Sequence, residues 1–154
     1  MKNTGLLGLF FLFGIGFVHA AELNSYARVL DDGSLSIKGH KVHLHGIYLA
    51  DNRQQCRNNI RPVRCASRSV LALDSRIQGF VHCYPQAENS DGSLDAICYV
   101  DRGSFTDGED LGAYLIENGW AMALPNAPFE YHALERIARH NNRGVWGFTV
   151  DNVR

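Results

Sequence analysis

The chain has little of what would give away a partner or a membrane span. Its Lys and Arg number 15 against 16 Asp and Glu, for a formal net charge of -1, so no global field draws in nucleic acid. Its one long apolar run, Leu6 to Val18, is shorter than the ~20 residues that cross a bilayer. No internal repeat or low-complexity tract is evident, and no second domain or long linker fits. Cysteine is sparse, at 4 residues, and neither gap between neighbours that could pair matches the C-x₂₋₄-C spacing of a zinc-thiolate site.

What is present begins with a targeting pattern. Lys2 precedes the apolar run, and Val18-His19-Ala20 closes it as a small-x-small cleavage signal. This pattern predicts a secretory signal peptide over residues 1–20, with cleavage after Ala21 as the rival, and hence an exported protein, periplasmic or secreted, with no stable membrane anchor after cleavage. Residues 21–154 are then one domain, long enough to bury a core. In an oxidising compartment an even cysteine count predicts two disulfides. Cys56, Cys65, Cys83 and Cys98 allow three pairings. The spacing favours Cys56 with Cys65 and Cys83 with Cys98, each closing a short loop; a loop of ~15 residues is worth about 3 kcal/mol in the chain-entropy model.

Periodicity divides this domain into strands, then helices. Tyr26 to Leu30 reads as a strand entering the Asp31-Asp32-Gly33-Ser34 turn. Leu35 and Ile37, then Val42 and Leu44, alternate with polar residues around Gly39-His40, the pattern of a hairpin with one buried face. Val70, Leu73 and Ile77 mark a helix stopped by Gly79. Phe80 to Tyr84 and Leu94 to Val100 are two more strands around the Asn89-Ser90-Asp91-Gly92 turn signal. On the second, Leu94, Ala96, Cys98 and Val100 share the face on which Cys83 could meet Cys98. Asp110 caps a helix through Leu111, Tyr114, Leu115 and Asn118, ended by Gly119. Tyr131, Leu134, Ile137 and Ala138 form the apolar stripe of the last helix, stopped by Gly144 before Trp146. Short strands followed by helices predict an α+β domain with a small barrel.

Four segments, in order, carry a family resemblance: Asp32-Gly33-Ser34-Leu35; His43-Leu44-His45-Gly46-Ile47-Tyr48-Leu49-Ala50-Asp51; Asp110-Leu111 through Glu117-Asn118-Gly119-Trp120-Ala121; and Tyr131 through Glu135, Ala138, Gly144 and Trp146. They resemble the D-G-D-T turn, the R-L-x-G-I-D-A-P-E segment, the D-L-N-x-x-L-V-x-x-G-x-A helix and the closing Y-x-x-x-E-x-x-A-x-x-x-x-x-G-x-W pattern of the staphylococcal nuclease (thermonuclease) family. The likeness runs from Tyr26 to Phe148. It implies a five-stranded OB-like barrel with three packed helices, and exported bacterial members tend to carry cysteines where this chain does.

The resemblance also implies a site with its chemistry removed. A Ca²⁺-dependent phosphodiesterase needs a hard cation in an oxygen cage, a carboxylate to activate water and arginines to neutralise the phosphate. Here Ser34 and Tyr48 stand at the two metal-aspartate positions, His43 and Ser93 at the two arginine positions, and Asp51 at that of the catalytic glutamate. The expectation is that the Ca²⁺ site is lost, that no cofactor is retained, and that the domain is a non-catalytic binding or accessory module. The alternative is a nuclease or phosphodiesterase using His43 and Asp51 as catalytic residues, since an imidazole titrates near operating pH.

Two further clusters admit a functional and a structural reading. His43 and His45 project from one face of a strand, with His40 just upstream, a spacing that suits Zn²⁺ or Cu²⁺ if Asp51 or Asp32 supplies a third ligand; the bland reading is a pair of solvent-facing strand residues. Arg53, Arg57, Arg61, Arg64 and Arg68 follow Asp51 with no acidic residue between them. This stretch suits binding to an anionic polymer, nucleic acid or acidic polysaccharide, or is a solvated loop whose arginines offset acids elsewhere, in which case a protein partner is the alternative. Glu130, Glu135, Trp120 and Trp146 are expected to be structural.

Overall fold

The computed structural model describes residues 22–49, 55–57 and 62–150, with the side chains of 55–57, 62–67 and 149–150 left out. Eleven strands and three helices run in the order β1 (Leu23–Val29), β2 (Leu35–Ile37), β3 (His40–Leu44), β4 (Ile47–Tyr48), β5 (Gln55–Arg57), β6 (Pro62–Arg64), α1 (Cys65–Arg76), β7 (Phe80–Glu88), β8 (Leu94–Val100), β9 (Glu109–Asp110), α2 (Leu111–Glu117), β10 (Met122–Ala123), α3 (Phe129–His140), a 3₁₀ turn (Gly144–Gly147) and β11 (Thr149–Val150).

Five of these strands close a barrel in the order β3-β2-β1-β7-β8, with β3 returning to pair with β8. All contacts are antiparallel except that last one, where Val42, His43 and Leu44 lie opposite Leu94, Asp95 and Ala96 in parallel register. Alternation does the sorting: Leu35, Ile37, Val42, Val81, Cys83, Ala96 and Cys98 point inward and are fully buried, as period-2 side chains on one face of a closed sheet must be. Each fully buried aliphatic side chain of this kind contributes ~1.5–3 kcal/mol. Leu73 of α1 and Leu111, Leu115 and Ile116 of α2 belong to the same core. The architecture is α+β, a closed five-stranded OB-like barrel with three helices, as the sequence led us to expect.

The structure extends two strands and corrects a helix face. β1 starts at Leu23 because its first half pairs with β7, Leu23 opposite Cys83 and Tyr26 opposite Phe80, before its second half pairs with β2. Leu-Asn-Ser carries no β signal of its own; the remote partner makes it a strand. β7 runs on to Glu88 through a register shift at Pro85 to Ala87, where a proline without an N–H would otherwise interrupt the ladder. On α3, Ile137 is 49% exposed, against the expected apolar stripe, while Tyr131, Glu135 and Ala138 are buried. The inward positions step by four and three. Ile137 falls beside that line, and the place it was expected to share goes to a carboxylate that is fully partnered. Glu135 accepts the Ala123 N–H (3.1 Å) and both Nε and Nη2 of Arg139 (3.1 and 2.6 Å), which offsets the cost of its burial.

The helices are keyed to the barrel through Asp110. One of its oxygens accepts the N–H groups of Gly112 (2.8 Å) and Ala113 (3.3 Å), the N-cap expected from sequence. The other accepts the hydroxyl of buried Tyr131 (2.7 Å), so one carboxylate joins the end of β9, the start of α2 and the first turn of α3. The approach is close: a Cβ on Gly112 would stand 2.6 Å from the Tyr131 oxygen, so only glycine fits. Burial pushes the Tyr131 phenol strongly up, and the charge and hydrogen bond of Asp110 add to it.

Cys83 and Cys98 lie directly opposite each other on β7 and β8 and are joined by a disulfide closing a separation of 15 residues; both are 0% exposed. The side chains of the other expected pair, Cys56 and Cys65, are not described, and the signal segment lies outside the described residues.

Two measurements test this packing. Replacing Cys83 and Cys98 together with alanine should lower the unfolding free energy in urea by ~2–5 kcal/mol, the range for a native bridge in a small secreted domain. Tyr131→Phe leaves an Asp110 oxygen without its buried donor and should cost ~1–3 kcal/mol, with no change in secondary-structure content by circular dichroism.

Candidate functional site

The β1–β2 and β7–β8 turns are built alike, and Lys41 pairs with Asp32 of the first while feeling the charge of Asp91 in the second. Each turn carries Asp-Gly-Ser-Leu, at 32–35 and at 91–94. In the first, Ser34 donates its N–H (3.0 Å) and its hydroxyl (2.5 Å) to one oxygen of Asp32; in the second, Ser93 donates to Asp91 at 3.0 and 2.6 Å. The strand ends are clamped identically, Leu30 N–H to Ser34 C=O and Asn89 N–H to Ser93 C=O, both 2.8 Å. This is side-chain mimicry of a backbone turn. Gly33 has φ +81° and a Cβ there would meet Leu49 Cδ1 at 2.1 Å, so the first turn demands glycine twice over.

Beside the first turn lies a cleft of about 190 Å³, lined by Asp32, Gly33, Ser34, His43, Leu44, Ile47, Tyr48 and Leu49. The fold thus brings together Asp32, Ser34, His43 and Tyr48, four positions singled out in the sequence. β3 presents His43 outward because its neighbours Val42 and Leu44 point into the core, and β4, held against β10 by the pairing of Tyr48 with Met122, places the Tyr48 ring at the rim, 43% exposed.

The electrostatics of this cleft are closed on themselves. Among the described lining residues Asp32 is the sole carboxylate, and its second oxygen receives Lys41 Nζ at 2.7 Å. Burial alone would push the Asp32 carboxyl up, but the hydrogen bonds from Lys41 and Ser34 win and hold it well below the usual carboxylate range. Lys41 is raised in turn by its bond to Asp32. Asp91 is lowered by the hydrogen bonds of Ser93, with a smaller contribution from the charge of His43. Ser34 and Ser93 are both buried, their hydroxyls spent within their own turns. Sequence reading missed Lys41; its only signal is its place on β3 opposite Ser36, one strand from the turn.

His45 is not joined to His43 in one site. Its Nδ1 stands 2.7 Å from Asp95 Oδ2, a pair created by the parallel register of β3 with β8 and separated by 50 residues in the chain. The carboxylate fixes the ring orientation and leaves Nε2 as the second nitrogen. Among the described residues no group of three or more His, Cys, Asp and Glu is gathered as metal ligands. His40 is exposed at the start of β3. Asp51 lies outside the described residues, as do Arg53, Arg61 and the side chains of Arg57 and Arg64. Arg68 is described, with its guanidinium 4.8 Å over the ring of Phe148, a cation–π contact tying α1 to the segment before β11. Glu135 and Trp146 are structural as expected, the latter beneath Arg139 at 4.1 Å.

Ca²⁺ takes 6–8 oxygens, its affinity set by ligand charge; the described side chains of the cleft offer a serine hydroxyl bonded within its own turn, a phenol and a carboxylate paired with an ammonium.

The pairing of Asp32 with Lys41 makes a pH signature. A carboxyl held low in the folded state stabilises above its unfolded pKa of ~3.9, and that contribution is lost as pH falls through the folded value. The urea-midpoint difference between the native protein and Asp32→Asn should therefore be open at pH ~7 and narrow steadily below pH ~4. Both groups are partly exposed, so added salt should shrink the difference.

No protein-family model matches the chain, and no curated protein matches it.

Proposed function

We propose that residues 21–154 form an exported thermonuclease-like domain that binds an anionic polymer without hydrolysing it, residues 1–20 being a cleaved signal peptide. The barrel with three helices is the fold that the family resemblance implies. The buried Cys83–Cys98 bridge is compatible with an oxidising compartment. The observation that carries the functional half is the ion pair of Lys41 with Asp32. An ammonium of the chain itself sits on the carboxylate nearest the position where the family would hold its cation, and Ser34, Tyr48, His43 and Ser93 supply neither the remaining anionic ligands nor the guanidinium forks that a phosphate transition state needs. Binding falls to positive side chains outside the cleft, Arg53, Arg57, Arg61, Arg64 and Arg68 among them, and neutralising phosphates or uronates is what such residues do.

The competing reading is a phosphodiesterase in which His43, which lines the cleft, acts with Asp51. Assay of the oxidised domain on single- and double-stranded DNA and RNA, with and without Ca²⁺, Mn²⁺ and Zn²⁺, separates the two. We expect no metal-switched hydrolysis and no micromolar Ca²⁺ binding by calorimetry. Hydrolysis abolished by His43→Ala would establish the phosphodiesterase instead. Ser34→Asp, His43→Arg, Tyr48→Asp, Asp51→Glu and Ser93→Arg made together should recover some activity, and each alone almost none, since residues acting as a unit are non-additive.

A further inference from the structure

Along the flank of α3, beside the buried Glu135, a shallow groove of about 430 Å³ is lined by Phe129, His132, Glu135, Arg136 and Arg139. The spacing of 129, 132, 136 and 139 puts these four side chains on one stripe of the helix. Its chemistry is uneven. Phe129 is 82% exposed, an aromatic face for which the described residues provide no cover. Glu135 contributes no open negative charge, because Ala123 N–H and Arg139 consume both of its oxygens. The Arg139 guanidinium lies over the Trp146 ring, 4.1 Å from its centroid, and donates to Glu135, so it is oriented in advance. Arg136 is exposed and makes no ion pair or hydrogen bond with the described residues, and His132 adds an imidazole. The groove therefore has a net positive character, one guanidinium pre-set by stacking, one unspent, and a bare ring at its end.

We propose that this groove is a binding site for single-stranded nucleic acid, with a base stacked on Phe129 and backbone phosphates on Arg136 and Arg139. A bare ring next to cations suits a ligand that carries π-faces and anions at short, regular intervals. Unpaired nucleotides have both, and base–aromatic stacking is tolerant of sequence. A duplex hides its base faces, and an acidic polysaccharide has none. From Phe129 to Arg139 the helix rises ~15 Å, room for a short run of nucleotides. The inference rests on the reading of the domain as a polyanion binder, but it places the contact on α3 residues that do not line the cleft.

The test is fluorescence anisotropy of the oxidised domain with a fluorescein-labelled oligothymidylate of about eight nucleotides, an abasic oligodeoxynucleotide of the same length, and labelled heparin. Phe129→Ala should weaken oligothymidylate binding at least ~5-fold, the lower end for loss of one base stack, and leave the abasic probe unchanged. Arg136→Gln should weaken both oligonucleotides and take about one unit off the salt slope. Both positions are exposed, and an unchanged urea midpoint verifies that the variants fold. If the native protein binds the oligonucleotide and both variants bind it equally well, the α3 site is overturned while the polyanion-binding reading stands. If the native protein binds none of the probes at about 50 mM salt, where phosphate contacts are strong, both fail. Loss of heparin binding in Arg136→Gln with no effect of Phe129→Ala would make the groove a general polyanion face and overturn the nucleic-acid assignment.

Discussion

The parallel pairing of β3 with β8 is the contact on which the rest of this structure depends. Without it, the other four pairings make an open, twisted sheet with two edges, each a row of unmet N–H and C=O groups. With it, the sheet becomes a barrel and its inward side chains a core. The same three residue pairs bring together groups that the chain separates widely. His45 reaches Asp95, and the His43 imidazole comes within the field of Asp91. The imidazole–carboxylate pair and the approach of His43 to Asp91 are both consequences of where the barrel closes.

That dependence explains which parts could be read from sequence. Elements whose signal is local were legible: the alternation of Leu35, Ile37, Val42 and Leu44, the strand from Leu94 to Val100, the Asp110 cap and the glycine after α2. The direct opposition of Cys83 and Cys98 also followed from strand parity. What the sequence did not disclose was set by remote partners. Leu23 to Ser25 become strand because β7 lies alongside, Ile137 is turned outward because Glu135 holds the inward place, and Lys41 finds Asp32 from across a hairpin. The duplicated Asp-Gly-Ser-Leu is visible as letters, yet four residues are too few to count as a repeat until the fold gives both copies the same hydrogen-bonded turn.

The candidate site was legible as a set of positions and not as a charge distribution. Substitution at the family's catalytic positions implied lost ligands; it did not imply that the surviving carboxylate would be neutralised from within. A site that merely lacked ligands would leave an unpaired carboxylate at its mouth, open to any passing cation. Here the lysine removes that opening, and the two buried serines remove the neighbouring hydroxyls from play. Among the described residues the cleft's one carboxylate is thus paired, whereas α3 keeps a guanidinium and an aromatic ring uncommitted. Uncommitted groups are where a folded protein retains free energy to give to a partner.

The Cys83–Cys98 bridge sits inside the barrel wall with no solvent-accessible surface. A thiolate must approach a sulfur atom to exchange with it, so a reductant has to wait for β7 and β8 to part. Chemical reduction of this bond is therefore a gauge of how often the barrel opens, set by the protein's own breathing more than by the redox poise of the medium. The crosslink thereby protects itself: the packing it helps to stabilise is the barrier that keeps it from being broken.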